Sequence, residues 1–140
     1  MKNANVKKLI KQFDKRNIPI EEPLYSETGE ICVVFPTKVA DSEFAYKVVT
    51  VFSKDNSYVE VSSFNLVNVA DSMRSQLLEV INSFNCEKRC GKLYLDSAGN
   101  ISIVQTVFSV DKTFDAKGIM QIIVMLKDNI DEFFMTISTL

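Results

Sequence analysis

The sequence predicts an α+β fold in which helices pack on an antiparallel sheet. Three observations lead to this fold class. The chain has 140 residues, the usual size of one domain, and 46% of them are hydrophobic, which suffices for a full core. Three segments carry apolar residues at helical spacing, and short runs rich in β-branched and aromatic residues lie between them. The predicted order is α-β-β-β-α-β-β-α, in a single domain over residues 1–140.

The first helix is predicted over residues 5–17. Its apolar residues form one stripe at helical spacing, and its lysines fall outside that stripe. Pro19 prevents continuation, so we expect the helix to end near Arg16. The acidic stretch from Glu21 to Glu30 contains Pro and Gly, and we expect it to form a loop or a frayed edge strand.

Three strands are predicted in the first half of the chain. They are Ile31 to Phe35, Phe44 to Phe52 and Tyr58 to Phe64. We expect Pro36 to close the first strand, and the turn-rich residues 53–57 make the other two a hairpin. Val49 and Val51 make the second face of the middle strand apolar as well, which predicts that both faces of that strand are covered.

The second half repeats the pattern with a helix, a hairpin and a longer helix. Asp71 or Ser72 is expected to cap the second helix, which runs to about Phe84. The hairpin consists of Lys92 to Leu95 and Ile101 to Val110. The third helix begins near Ala116, with Thr113 or Asp115 as its cap. Eight of its apolar residues share one arc, which predicts firm docking on the sheet: Ile119, Ile122, Ile123, Leu126, Ile130, Phe133, Phe134 and Ile137.

The composition weighs against most catalytic and ligand-binding classes. The chain has no His and no Trp, so the commonest general base and metal ligand are missing. The four glycines are isolated and form no phosphate-binding loop. A net charge of -2 opposes binding to nucleic acid or anionic membranes. We therefore expect no catalytic residues, no metal, no cofactor, no nucleic acid and no membrane partner.

The cellular setting is expected to be the cytoplasm. No apolar region follows the first lysines as in a secretory signal, and the longest apolar runs are far too short to cross a bilayer. The three cysteines, Cys32, Cys86 and Cys90, are an odd set that fits a reducing compartment, and Cys32 is interpreted as a small buried hydrophobe. Lys88 and Arg89 would favour a thiolate at Cys86 or Cys90, although a structural role is the simpler interpretation.

More apolar residues are present than one small core is expected to hold. We interpret five of them as contacts to a partner or to a second copy: Leu78, Met120, Val124, Met125 and Met135. An exposed sheet edge could also accept a strand from a client peptide.

Three stretches in the latter half resemble a known family. They are Ile81-Asn82-Ser83-Phe84-Asn85, Gly91-Lys92-Leu93-Tyr94-Leu95-Asp96 and Gly99-Asn100-Ile101. With the elements around them they are similar to the YbjN-like family of small bacterial proteins. The resemblance implies a fold like that of class I type III secretion chaperones, which are acidic homodimers that bind extended effector segments on apolar patches. It implies no established catalytic activity.

The sequence thus favours a non-enzymatic, chaperone-like or regulatory module that binds a protein or peptide client and forms a homodimer. Two alternatives stay open. One is a small immunity or anti-toxin type protein that blocks a basic partner with the segment from Glu21 to Glu30. The other is a hydrolase that uses carboxylates alone, with Asp96 or Asp111 at a strand end.

Overall fold

A six-stranded antiparallel sheet is the centre of the fold, with the strand order β1-β2-β3-β4-β6-β5. The computed structural model describes residues 3–108 and 113–140. The helices are α1 (Ala4–Lys15), α2 (Arg74–Glu87) and α3 (Ala116–Ile137). The strands are β1 (Leu24–Tyr25), β2 (Ile31–Lys38), β3 (Ala45–Phe52), β4 (Tyr58–Asn68), β5 (Lys92–Leu95) and β6 (Asn100–Phe108).

The predicted α+β class and element order are confirmed, with one two-residue strand added. That strand is β1, which lies in the acidic stretch expected to be a loop or frayed edge. β4 runs four residues beyond the predicted Phe64, because a bulge turns it before it pairs again with β6. Residues 109 and 110, predicted to end β6, lie outside the described residues.

Helix α1 has the amphipathic face that the sequence predicts, and it begins one residue before the predicted range and ends one residue before the predicted Arg16. The Asn3 side chain caps it by accepting hydrogen bonds from the N–H groups of Asn5 and Val6. At the other end Asn17 adopts a φ of 55°, a left-handed conformation that terminates helices. Leu9 and Phe13 are buried, so the apolar face of α1 is used within the fold.

The expectation that Pro36 closes β2 is wrong, because the strand continues through it to Lys38. Val34 C=O accepts a hydrogen bond from Glu21 N–H on the side away from β3. Backbone groups two residues apart point to the same side of a strand, so the N–H that Pro36 lacks would have faced this outer edge. Proline is therefore compatible with the strand here.

The expected caps of α2 are also wrong, whereas the expected cap of α3 is confirmed. Residues 71–73 form a short 3₁₀ turn, and the position before Arg74 is Met73, which makes no side-chain cap. Arg74 instead ties the helix start to the sheet by donating to the Asp96 carbonyl. At α3, Asp115 Oδ1 accepts from Gly118 N–H at 3.0 Å.

All three helices pack on one face of the sheet, with α3 contacting both α1 and α2. The Phe13 ring of α1 packs against Phe35 of β2. Where α3 begins, Phe114 packs against Phe52 of β3. The α3 arc predicted to dock is buried at five positions and partly buried at three. The buried ones are Ile119, Ile123, Leu126, Ile130 and Phe133.

A buried polar cluster joins α3 to β3. Tyr46, which is 7% exposed, donates its hydroxyl to Asp131 at 3.0 Å. Lys127 lies one turn before Asp131 and bonds the same carboxylate at 2.7 Å, so the buried charge is compensated. Burial, and then the negative charge of Asp131, raise the pKa of Tyr46 well above its ordinary value.

The connection between α2 and β5 passes under α3 at Gly91. The φ of Gly91 is +82°, and a Cβ on this residue would lie 2.5 Å from a Leu126 methyl and 2.9 Å from an Ile103 methyl. The connection is fixed further by Asn129, which donates to the Cys90 carbonyl, and by Gly91 N–H, which donates to Gln105. Only a residue without a side chain fits this position.

We expect Gly91→Ala to lower the free energy of unfolding by about 3 kcal/mol, because the methyl group overpacks the core and strains the backbone. Urea denaturation measures the change. Gly29→Ala is the control, since Gly29 has a φ of +91° but its Cβ would meet only the flexible Lys54 side chain. Equal losses in the two variants would show that backbone strain alone, rather than packing, requires Gly91.

Tyr46 also predicts a pH dependence. Above about pH 10 the unfolded chain ionises this phenol while the folded protein keeps it neutral, so stability falls as pH rises. The contribution of one such group is a loss of about 1.4 kcal/mol by pH 11. Tyr46→Phe should therefore reduce the decline in unfolding free energy between about pH 9 and pH 11. Tyr94→Phe, at an exposed tyrosine, should leave the decline unchanged.

Candidate protein-interaction surfaces

The second face of the sheet has an apolar centre, and none of the helices in residues 3–108 and 113–140 packs on it. One row across it, read from the register, runs Val34, Val49, Ser62, Val104 and Lys92. The next row runs Leu24, Cys32, Val51, Glu60 and Thr106. The valines at 49, 51 and 104 are half-buried, and Phe64, Tyr94 and Phe108 are exposed near its margins. We call this surface the open face.

Ser62 shows how closely the centre of the open face is packed. Its register places it between Val49 and Val104, and it is fully buried although no helix or strand of the described residues lies over it. Among the described residues, its Oγ is a buried side-chain oxygen without a hydrogen-bond partner. The neighbouring valines therefore exclude water from the middle of this face.

The outer edge of β5 is closed to strand addition by a side chain. The Asn85 amide donates to the Leu93 carbonyl at 3.0 Å and accepts from Leu93 N–H at 2.9 Å. It thus makes both hydrogen bonds that a further strand would make to this residue. At the other edge, β1 covers the start of β2 and Pro36 removes a donor beyond it. The expected capture of a client strand at a sheet edge is not favoured by these contacts.

A groove of about 540 Å³ lies between α2 and α3, on the helical side of the molecule. Its floor contains Phe84 and Phe133, whose rings meet edge to face with centroids 6.0 Å apart. Its two walls are formed by α2 and α3, and both walls carry glutamates. Two come from α2 and one from α3: Glu79, Glu87 and Glu132. We call this feature the acidic groove.

The five predicted contact residues do not form one patch. Met120 is 0% exposed, so its assignment as a surface contact is wrong; it lies on the buried side of α3 and fills the core. Leu78 is exposed on α2 but is not among the residues that line the acidic groove. Val124 and Met135 are exposed and lie 11 residues apart, about three helical turns, so they share one face of α3. Met125 is exposed beside that face.

Asp96, which was considered for catalysis, and the adjacent pair Asp131 and Glu132 have structural partners. Asp96 Oδ1 accepts from the N–H groups of Ala98 and Asn100 within the β5–β6 turn. Asp131 bonds Tyr46, whereas Glu132 pairs with Lys88, so these two adjacent carboxylates point to different partners. Asp111 lies outside the described residues.

The cysteines are all free, and they differ in exposure. Cys90 is buried, and burial raises the pKa of its thiol, the opposite of what nearby cations were expected to do. Cys32 is only half-buried on the open face, and burial together with Glu30 raises its pKa. Cys86 is exposed. Within residues 3–108 and 113–140, no group of three or more acidic or cysteine side chains is placed to hold a metal ion.

The described part of the chain also contains no helix that combines the length and apolarity needed to span a bilayer. The longest helix, α3, has 22 residues but carries charged side chains along its exposed side.

Comparison with known proteins identifies the family. A family model with the description "Putative bacterial sensory transduction regulator", named YbjN, matches residues 45–138. The chain belongs to the YbjN family. The crystal structure of YbjN from E. coli, titled "a putative transcription regulator", is similar with a TM-score of 0.53 and 16% identity. The alignment covers 91% of this chain and 89% of that one. No curated protein matches the sequence.

The YbjN match begins at β3, so it includes α2, α3 and four of the six strands, and it leaves α1 outside. Two of the stretches that resemble the family have a structural role. Asn85 closes the outer edge of β5, and the chain passes under α3 at Gly91. Sequence reasoning missed the open face as a surface. The sequence did indicate an apolar second face at Val49 and Val51, and both faces of that strand were expected to be covered.

Asn85 provides a test of edge closure. Asn85→Ala removes both hydrogen bonds to Leu93, and we expect it to lower the unfolding free energy by about 1–2 kcal/mol and to promote aggregation through the freed edge. Urea denaturation and light scattering measure the two effects. Asn82→Ala is the matched control, because Asn82 is exposed on the same helix. If both variants behave alike, the Asn85 amide does not protect the edge.

Proposed function

We propose that this YbjN-family chain is a non-catalytic regulatory module that acts by binding protein, and that two copies associate through the open face. The observation that carries the proposal is the apolar centre of a sheet face without a helix on it. The description of the family as a regulator supports a regulatory role. The open face supports the association of two copies.

Burial of the open face would be favourable. A sheet with apolar residues on both faces is normally covered on both, and here the helices cover one. Val49, Val51 and Val104 stay half-buried in a single copy and would lose their remaining contact with water in a face-to-face pair. Such a pair would have four layers, with helices outside and two sheets inside.

The available area supports a stable pair. Six strands at a spacing of about 4.8 Å are about 24 Å wide, and eight residues of strand are about 26 Å long. The footprint is therefore about 600 Å² per copy, or about 1,200 Å² in total, at the lower end of stable interfaces. Glu60 and Lys92 give the face both signs of charge, so a two-fold pair can oppose unlike charges.

The partner class and setting follow from charge and thiol chemistry. We propose a protein or peptide client rather than nucleic acid or a membrane, because the chain is weakly acidic. Three free thiols fit a reducing cytoplasm. The resemblance to secretion chaperones supports a homodimer with a client, without naming that client.

The two other functions receive less support. The segment from Glu21 to Glu30 is partly engaged within the chain, since Glu21 pairs with Lys47 at 2.8 Å and Glu30 accepts from Thr28. It therefore offers less free charge to a basic partner than the sequence suggests. For a hydrolase, the carboxylates discussed above cap turns or pair with cations instead of facing one another.

Val104→Lys tests the open face. The wild-type protein should have twice the 15.8 kDa chain mass by size exclusion with light scattering, and the variant should be monomeric because lysine places a charge in the interface centre. Circular dichroism verifies that the variant is folded. Val124→Lys, at an exposed valine of α3, should stay dimeric.

If only the Val124→Lys variant is monomeric, the dimer contact lies on α3 and not on the open face. A folded wild-type protein that stays monomeric at its highest soluble concentration would contradict the dimer.

A further inference from the structure

The acidic groove is a second surface, separate from the open face. It lies among the helices, on the other side of the sheet from the half-buried valines. Its floor is apolar: Phe84 and Phe133 are buried, Val80 is half-buried, and Leu140 is 48% exposed at one end. A groove with such a floor gains free energy when an apolar side chain fills it.

The net charge of the residues that line the groove is negative. Its lining contains three glutamates and, among the described residues, one cation, Lys88. Lys88 is paired with Glu132, which leaves Glu79 and Glu87 on the α2 wall. Neither of these two forms an ion pair within the described part of the chain. Two uncompensated carboxylates above an aromatic floor favour a cationic ligand with an apolar anchor.

We propose that the acidic groove binds a basic, amphipathic helical segment of a partner protein. The lining of α2 extends from Gln76 to Glu87, a rise of about 16 Å or three helical turns. A helix of that length can place apolar residues at positions i, i+3 or i+4, and i+7 over the floor. Lysines or arginines beside them reach the glutamates on the walls.

A second copy of this chain is a less suitable occupant. Its α1 carries the basic residues Lys7, Lys8, Lys11 and Lys15 on the exposed side. The apolar residues of α1 are already buried in its own core, including Leu9 and Phe13. An α1 docked by its basic side would therefore leave the aromatic floor unfilled.

This inference names the chemistry of the partner and rests on the proposed protein-binding function, but it uses a surface that the open face does not share. The two proposals can therefore fail separately. A monomeric Val104→Lys protein should still bind the peptide. Loss of peptide binding with an intact dimer would overturn the groove and leave the dimer standing.

The experiment uses a fluorescein-labelled, 14-residue helical peptide made of leucine at alternating three- and four-residue spacing and lysine elsewhere. Fluorescence anisotropy at low salt measures its binding to the full chain. A peptide with glutamate in place of lysine should not bind, and added salt should weaken the lysine peptide, because exposed charges are screened.

Two pairs of substitutions locate the binding. Glu79→Gln with Glu87→Gln keeps the shape of the groove and should weaken the lysine peptide by about ten-fold, as expected for two lost charge contacts. Glu22→Gln with Glu27→Gln removes the same charge from an exposed segment distant in sequence and should change the affinity less than two-fold. Val80→Ser should weaken binding even at high salt, since it removes part of the floor.

Three results would overturn the proposal. The first is no binding of the lysine peptide to the wild-type chain. The second is an equal loss in the two glutamine pairs, which would indicate general attraction to an acidic protein. The third is a lower oligomer mass for the Glu79 and Glu87 pair without added peptide, which would make a second copy the occupant.

Discussion

Docking of α3 across one face of the sheet is the constraint on which the rest of the structure depends. The helix buries six large apolar residues and lies between α1 and α2, so each of the other helices packs against it as well as against strands. The polar cluster of Tyr46, Lys127 and Asp131 fixes its position along β3. Gly91 allows the chain to pass directly beneath it. Without α3, only α1 and α2 would cover the helical face, at β2 and β5.

This arrangement determines where surfaces for other proteins can exist. Because the helices share one side, the other side of the sheet stays uncovered despite its valines. Phe84 of α2 and Phe133 of α3 are in ring contact, and the groove between the two helices lies above these rings. One surface is a sheet face of mixed charge, and the other is a concave groove with a net negative lining. Surfaces of such different chemistry suit different partners.

The fold could be predicted from the sequence because its signals are local. Helical spacing located α1 and α3, and turn residues located both hairpins. The wrong predictions concern features that depend on contacts between residues distant in sequence. Arg74 finds the Asp96 carbonyl, so α2 starts without the expected Asp71 cap. Met120 was expected to be a surface contact, but the way α3 lies on the sheet buries it fully. The surfaces depend on which elements become neighbours, and a single sequence does not record that.

The Asn85 amide has a consequence for how copies of this protein can assemble. Pairing through sheet edges adds one chain after another and has no natural end, as in fibres. Pairing face to face around a two-fold axis uses up the surface in a single step and stops at two chains. By occupying the hydrogen-bonding groups of Leu93, one side chain at the end of α2 favours the finite assembly over the unlimited one.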